Sequence, residues 1–140
     1  MNENNKQIDL MAIGDITIDA FIKIKDAEVT CDVNHENCKL SFGFGDKVPY
    51  ESVDICIGGN GPNAAVSAAR LGLTSAVMTH VGNDQNGKDC IKDLEDNQVD
   101  TRYIRVDEGK ITNYHYILWY DVDRTILVRH ESFIYYMGVV

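Results

Sequence analysis

Basic charge is scarce in this chain of 140 residues: 13 lysines and arginines stand against 22 aspartates and glutamates, for a net charge of −9. That balance argues against a nucleic-acid partner, whose phosphates demand a basic face. It fits instead the acidic surface of a soluble cytosolic protein. No apolar run approaches the ~18 residues of a membrane span, so no membrane partner is expected. The opening stretch Met1 to Gln7 is polar and lacks the apolar segment of a secretory signal, and a cytoplasmic location is the simplest inference. Cysteine pairs of the CxxC kind are missing too. Cys31, Cys38, Cys56 and Cys90 are expected as reduced thiols. The run from Cys31 to Cys38, with His35 inside it, offers three soft ligands at unusual spacing and no fourth, so a loop or hairpin tip is expected there rather than a metal site. There is no Gly-x-x-x-x-Gly-Lys-Ser/Thr phosphate loop, no internal repeat, no linker and no low-complexity segment.

The composition, 44% hydrophobic and 25% charged, is that of a globular protein. A domain near this length buries roughly 68–70% of its unfolded surface, enough for a core. The stretch around which the chain is organised runs from Asp54 to Gly82. Val53, Ile55 and Ile57 alternate with Asp54 and Cys56, the period of a half-buried strand. Gly58-Gly59-Asn60-Gly61 then allows a tight turn with backbone N–H groups close to any ligand. Pro62 suits the first position of a helix, which makes Gly61 the expected N-cap and places Asn63 in the first turn. Ala64, Ala65, Val66, Ala68, Ala69 and Leu71 form a helix body small enough to lie close on a sheet, and Gly72 stops it. Such a helix start, with unpaired N–H donors and a partial positive charge, suits hydroxyls, a carboxylate or a phosphate.

The remaining elements follow the same rules. Ile8 to Ile13 reads as a buried strand ended by Gly14. From Ile16 to Lys25, Ile16, Ile18, Ala20, Ile22 and Ile24 alternate with Thr17, Asp19, Phe21, Lys23 and Lys25, so Asp19 lies on the face opposite the isoleucines. A carboxylate there accepts at up to four lone-pair sites, which suits a vicinal diol, although an exposed edge-strand aspartate would have the same pattern. Lys39 to Gly43 looks like a short strand, and Gly43-Phe44-Gly45-Asp46 a turn, since Pro49 discourages a helix at Val48. Ser75 to Val81 is a strand. A helix capped by Asn83 or Asp84 follows to about Asn97, with Cys90, Ile91 and Leu94 as its apolar stripe. Tyr103 to Val106 and Thr112 to Tyr120 are strands, and Asp121-Val122-Asp123-Arg124 turns into a last strand, Thr125 to His130. Strand–helix–strand–helix–strand order makes a parallel sheet with helices on its faces.

Three groups of residues together resemble the PfkB, or ribokinase-like, carbohydrate and nucleoside kinases. One is Gly58-Gly59-Asn60-Gly61-Pro62-Asn63-Ala64-Ala65 with Gly72; another is Gly14-Asp15-Ile16-Thr17-Ile18-Asp19; the third is Val81-Gly82-Asn83-Asp84 with Gly87, followed by Val99-Asp100-Thr101. The resemblance implies an α/β, Rossmann-type sandwich, with residues 1–140 forming the N-terminal part of a single kinase domain. A small β-sheet lid would come from strands at about 16–25, 39–44 and 112–130. It further implies ATP-dependent phosphorylation of a sugar or nucleoside hydroxyl. Asp19 would hold two hydroxyls, and the backbone of Gly58 and Gly59 with the side chains of Asn60 and Asn63 would hold others. On this view the helix start and the Asp19 carboxylate converge on one polyol pocket. ATP and Mg2+ would be bound by a full-length member. The C-terminal half, with the catalytic base and nucleotide loops, is absent from a chain that stops at Val140, so no catalytic residue is assigned here. Gly43-Phe44-Gly45-Asp46 only imitates the motif that carries the catalytic aspartate. Loss of the sheet's neighbours would leave apolar surface exposed and solubility poor, and the lid could pair two subunits. Asn60 and Thr17 depart from residues that ribokinases often carry there, which leaves the sugar open. Two rivals stand beside this reading. Gly59-x-Gly61-x-x-Ala64 also fits a dinucleotide-binding turn with Asp84 as its ribose acid, and a non-catalytic sugar-binding or dimerisation module would use the same β segments.

Overall fold

The computed structural model describes residues 7–135. The polar start, Met1 to Lys6, and the chain end, residues 136–140, lie outside them. The elements run β1 (Leu10–Ile13), β2 (Thr17–Ile24), β3 (Glu28–Thr30), β4 (Lys39–Ser41), β5 (Tyr50–Gly58), α1 (Asn60–Arg70), β6 (Ser75–Gly82), α2 (Gln85–Asp96), β7 (Ile104–Asp107), β8 (Asn113–Tyr120) and β9 (Asp123–Arg129). They fall into two compact units. Of the described residues, the first comprises 7–18, 57–114 and 129–135; the second comprises 19–56 and 115–128.

The first unit is built on a parallel sheet of order β1-β6-β7. Leu10 is in register with Ser75 and Ala12 with Val77, while Thr79 pairs with Ile104 and Val81 with Val106. Leu10, Ala12, Val77 and Val81 therefore share one face. Both helices bury their apolar stripes against it, Ala65 from α1 and Cys90 and Leu94 from α2, in a core that also holds Ile16, Ile18 and Val99. Alanines dominate the inner face of α1, so the helix lies close on the sheet, as expected. The opposite face carries Met11 and Ile13, 36% and 52% exposed. The buried strand read at Ile8 to Ile13 is thus shorter and buried on one side only, and the apolar exposure anticipated for this sheet is present. Two buried polar side chains tie the unit together. Ser75 Oγ donates to Ala65 O at 2.7 Å. Asn113 Nδ2 donates to Ile16 O at 3.2 Å, while Asn113 Oδ1 accepts from Glu131 N at 2.7 Å.

The second unit holds most of a four-stranded sheet of order β5-β2-β8-β9 and a separate two-stranded antiparallel hairpin, β3-β4. Ile18, Ala20 and Ile24 are buried along β2 while Phe21 and Lys23 are exposed, so the alternation read in the sequence holds from Ile18 on, whereas Thr17 at the start of the strand is buried as well. Three expectations change here. The strand at Lys39 stands outside the sheet that holds β2 and pairs with β3, a strand not read from the sequence, although the hairpin tip expected at Cys31 to Cys38 is present. The strand leading into the glycine turn, β5, joins β2 instead of the parallel sheet, and as an edge strand it leaves Val53 and Ile55 at 45% and 63% exposure instead of half-buried. And Cys31 and Cys38 are joined in a disulfide rather than reduced. The reason lies in the hairpin: Thr30 pairs with Lys39, so the next residue on each strand faces the other just past the ladder. The segment from Gly43 to Asp46 is a turn, with Asp46 N donating to Gly43 O at 3.2 Å and Gly45 at φ 84°, as read.

Candidate functional site

The glycine turn sits in the first unit, and its geometry explains its composition. Gly59 precedes α1 with φ 110° and ψ 140° and serves as its N-cap; Asn63 N donates to Gly59 O at 2.9 Å. The helix begins at Asn60, two residues before the expected start, because a glycine at Gly59 can take the left-handed φ that lets the chain enter a helix directly from a strand. Pro62 then falls in the first turn, where its missing N–H costs no intrahelical bond. A Cβ on Gly59 would lie 2.2 Å from Asp15 O, and one on Gly61 would lie 3.1 to 3.2 Å from the backbone of Gly14 and Ile13. So the two glycine-bearing motifs, Gly14-Asp15 after β1 and Gly58 to Gly61 after β5, are packed backbone against backbone. Gly58, Gly61 and Pro62 are buried, while Asn60 and Asn63 are exposed at the helix start. No acidic side chain occupies that first turn, which leaves its N–H donors and dipole to an oxygen-rich ligand.

Asp19 stands in the second unit, on the face of β2 opposite Ile18 and Ala20. Its side chain is 21% exposed, and His115 Nδ1, on the neighbouring strand β8, lies 3.1 Å from Oδ1. That approach does not align as a hydrogen bond, and Oδ1 is a buried oxygen with no hydrogen-bond donor. Cys56 Sγ donates to the backbone oxygen of Asp19 at 3.8 Å. A carboxylate oxygen removed from water without a donor is costly, about 1–3 kcal/mol or more, and a ligand hydroxyl would satisfy it. His115 is the functional candidate that sequence reasoning missed. The signal was available only as a histidine within the aromatic run Asn113 to Tyr120, with nothing to pair it to Asp19.

The third motif turns out to be a structural lock. Asp84 caps α2 by accepting from Gly87 N at 2.8 Å on Oδ1. The same carboxylate accepts from Thr112 Oγ at 2.7 Å and from Thr112 N at 3.0 Å, and Thr112 Oγ in turn accepts from Gly82 N at 3.1 Å. A Cβ on Gly82 would fall 2.4 Å from Lys110 O, and one on Gly87 would fall 2.2 Å from Gly82 O. Thus Val81-Gly82-Asn83-Asp84 and Gly87 fasten the end of β6, the start of α2 and the entry to β8. Burial pushes the Asp84 carboxyl up, yet the bonds from Thr112 and Gly87 outweigh it and hold the group below the usual carboxylate value. With its lone pairs so engaged, Asp84 is unsuited to gripping a ribose diol. The Cys90 thiol, under the same helix, is pushed up to about 12 by burial and then by Asp84, Asp89 and Asp93, which makes it unreactive. No cluster of three or more metal-ligating side chains occurs among the described residues. Nor is any helix among them long and apolar enough to cross a membrane.

Comparison with known proteins gives these motifs their context. The model of the pfkB family carbohydrate kinases matches residues 11–132. Mouse ribokinase is 39% identical over 59 residues, 42% of this chain and 18% of that enzyme. Among solved structures, a sugar kinase of Pyrococcus horikoshii determined in complex with ATP superposes with a TM-score of 0.64 at 26% identity, covering 86% of this chain and 33% of that one. The fructokinase of Halothermothrix orenii shares the fold at 20% identity, with a TM-score of 0.65 over 88% of this chain and 38% of its own. The chain spans 26% and 18% of the length of the first curated relatives it matches. With the family model covering nearly the whole sequence and the α/β fold shared, the chain belongs to the pfkB family of carbohydrate kinases.

Proposed function

We propose that this chain supplies the sugar-binding part of an ATP-dependent kinase that phosphorylates a hydroxyl of a sugar or nucleoside. The observation that carries the reading is the buried Asp19 Oδ1 without a donor, in a family whose members act on polyols. Asp19 accepts hydrogen bonds from substrate hydroxyls, and His115 Nδ1 stands 3.1 Å from its Oδ1. Gly58 and Gly59 offer backbone N–H groups, and Asn60 and Asn63 offer side-chain amides that both donate and accept. The four-stranded sheet takes the role of the small β-sheet lid. Phosphoryl transfer asks for positioning and charge stabilisation more than for covalent chemistry, and these residues supply the positioning.

ATP and Mg2+ belong to the remainder of a full-length enzyme, because the described residues do not fit a triphosphate. The first turn of α1 brings no cation, and the concavity beside the β3-β4 hairpin sets Asp26, Glu28 and Asp46 against the single Lys47. Residues 1–140 alone are expected to bind polyol and to transfer no phosphate. The exposed apolar side chains of the second unit's sheet, among them Ile55, Ile126 and Val128, support a homodimer formed through the lid, and the polar, acidic composition supports a cytoplasmic location.

Calorimetric titration of the chain with a panel of pentoses, hexoses and nucleosides tests the reading, alongside Asp19→Asn. Binding of at least one polyol that weakens tenfold or more in the variant is the expected result; saturable binding of NADH with no polyol binding overturns it. Incubation with labelled ATP tests the second half, since efficient product formation by residues 1–140 contradicts the division of labour proposed.

A further inference from the structure

We infer that Cys31 and Cys38 form a thiol–disulfide exchange site that sets the order of the β3-β4 hairpin, with a low-molecular-weight disulfide such as glutathione disulfide as the oxidant and its thiol as the reductant. The inference is independent of the sugar-site proposal and rests on three features of the second unit. The first is access. Residues 32–39 are all exposed and Cys31 is partly so, and exposed disulfides are those open to exchange with small thiols.

The second is that the loop between the cysteines is organised by its own hydrogen bonds. Asp32 Oδ1 accepts from Asn34 N at 3.1 Å and Glu36 N at 2.7 Å, and Oδ2 accepts from Asn37 Nδ2 at 2.9 Å. Asp32 N donates to Glu36 O at 3.1 Å, and His35 N donates to Asp32 O at 3.0 Å. His35 and Asn37, at φ 56° and 48°, provide the left-handed residues that reverse the chain. These bonds do not depend on the sulfur link, so the two thiols remain close after reduction and reclosure is a local event. Bonds from Asn37 and then Glu36 hold the Asp32 carboxyl below the usual carboxylate value, so the loop keeps its anchor through the neutral range.

The third is that the ladder beyond this loop is short. Its ladder is three pairs long, Glu28 with Ser41, Val29 with Leu40 and Thr30 with Lys39, and an isolated two-stranded hairpin is marginal in water. Closing the disulfide removes open-chain conformations and so favours the ladder. Val29, Cys38, Lys39 and Leu40 form one wall of a cavity of about 120 Å³ whose other wall includes Leu118 and Tyr120 of β8. The redox state of the pair thereby decides whether that cavity has both walls.

The chemistry balances in two steps. The Cys38 thiolate attacks one sulfur of the small disulfide, forming a mixed disulfide and releasing one thiolate, which takes up a proton. The Cys31 thiolate then attacks Cys38 Sγ, forming the intramolecular bond and releasing the second small thiol. Two cysteine thiols are oxidised and one small disulfide is reduced to two thiols.

The test equilibrates the chain in buffers of varied reduced-to-oxidised glutathione ratio, quenches with acid, alkylates and locates the modified thiols by peptide mass. Hydrogen exchange is followed on both end states. Cys31 and Cys38 should titrate together as one two-electron step, and the amides of Val29 and Leu40 should exchange at least tenfold faster in the dithiol form. Exchange in β6 should stay the same in both. The double variant Cys31→Ser, Cys38→Ser should match the dithiol form at every ratio. A pair that stays closed throughout, a pair that never closes, or equal exchange at Val29 and Leu40 in the two states overturns the inference.

Discussion

Replacing Asp84 by alanine tests whether the Val-Gly-Asn-Asp motif is a lock rather than a ligand. The variant loses the cap of α2, worth about 1 kcal/mol. It also strips the acceptor from Thr112 N and Oγ, in a residue only 1% exposed; leaving such donors unpaired costs about 1–3 kcal/mol. The sum is a loss of roughly 2–4 kcal/mol, or about 6–16 °C in Tm at a few degrees for each kcal/mol in a chain of this size. Asp84→Asn keeps an oxygen for Gly87 N but cannot accept on both sides, so it should lose about half as much. Thr112→Val leaves Gly82 N without its acceptor, at about 1–2 kcal/mol. Because Asp84 and Thr112 touch, the double variant should fall short of additivity by about 0.5–1.5 kcal/mol. The pH dependence has a definite sign. The folded-state pKa of Asp84 is depressed, so its contribution is complete above the unfolded value of about 3.9 and is lost as pH falls through the lower folded value. The gap between the parent chain and Asp84→Asn should therefore close in acid below about pH 3.9. Urea denaturation followed by far-UV circular dichroism reads all of these. A midpoint that moves by less than about 0.5 kcal/mol equivalent in Asp84→Ala, the usual effect of an idle surface substitution, would refute the reasoning.

Gly59→Ala places a methyl 2.2 Å from Asp15 O at φ 110° and should destabilise by about 2–5 kcal/mol, from overpacking and left-handed backbone strain together; thermal melts should show it. Leu94→Ala, at a fully buried side chain, should cost about 2–5 kcal/mol by the same measurement. The Cys90 thiol, raised to about 12, should resist a thiol-reactive dye in the native chain and react only on unfolding. His115→Ala should weaken polyol binding less than Asp19→Asn in calorimetric titration, since it acts through the carboxylate.

The sequence by itself determined most of the elements. Alternation marked β2 and placed Asp19 opposite the isoleucines; alanine content and Gly72 marked α1; Asn83 or Asp84, of which the structure uses Asp84, marked the start of α2. These are local rules, in which a residue's own backbone preference or its neighbours within one turn decide the outcome. The tertiary structure alone decided which strands pair. The sequence put β5 in the parallel sheet because it leads into the first helix, yet it lies beside β2, since any strand of suitable pattern offers the same ladder of N–H and C=O groups to several partners. For the same reason β3, three residues long and exposed on all of them, carried no periodic signal, and the approach of Cys31 to Cys38 depended on a partner strand not visible in the chain. The site divides likewise. Glycine turn and carboxylate were legible as types, because φ freedom and lone pairs belong to the residue. That Gly59 rests on Asp15, that Asp84 is saturated by Thr112, and that Asp19 Oδ1 is buried without a donor are contacts between segments far apart in sequence, set by packing that no single residue specifies.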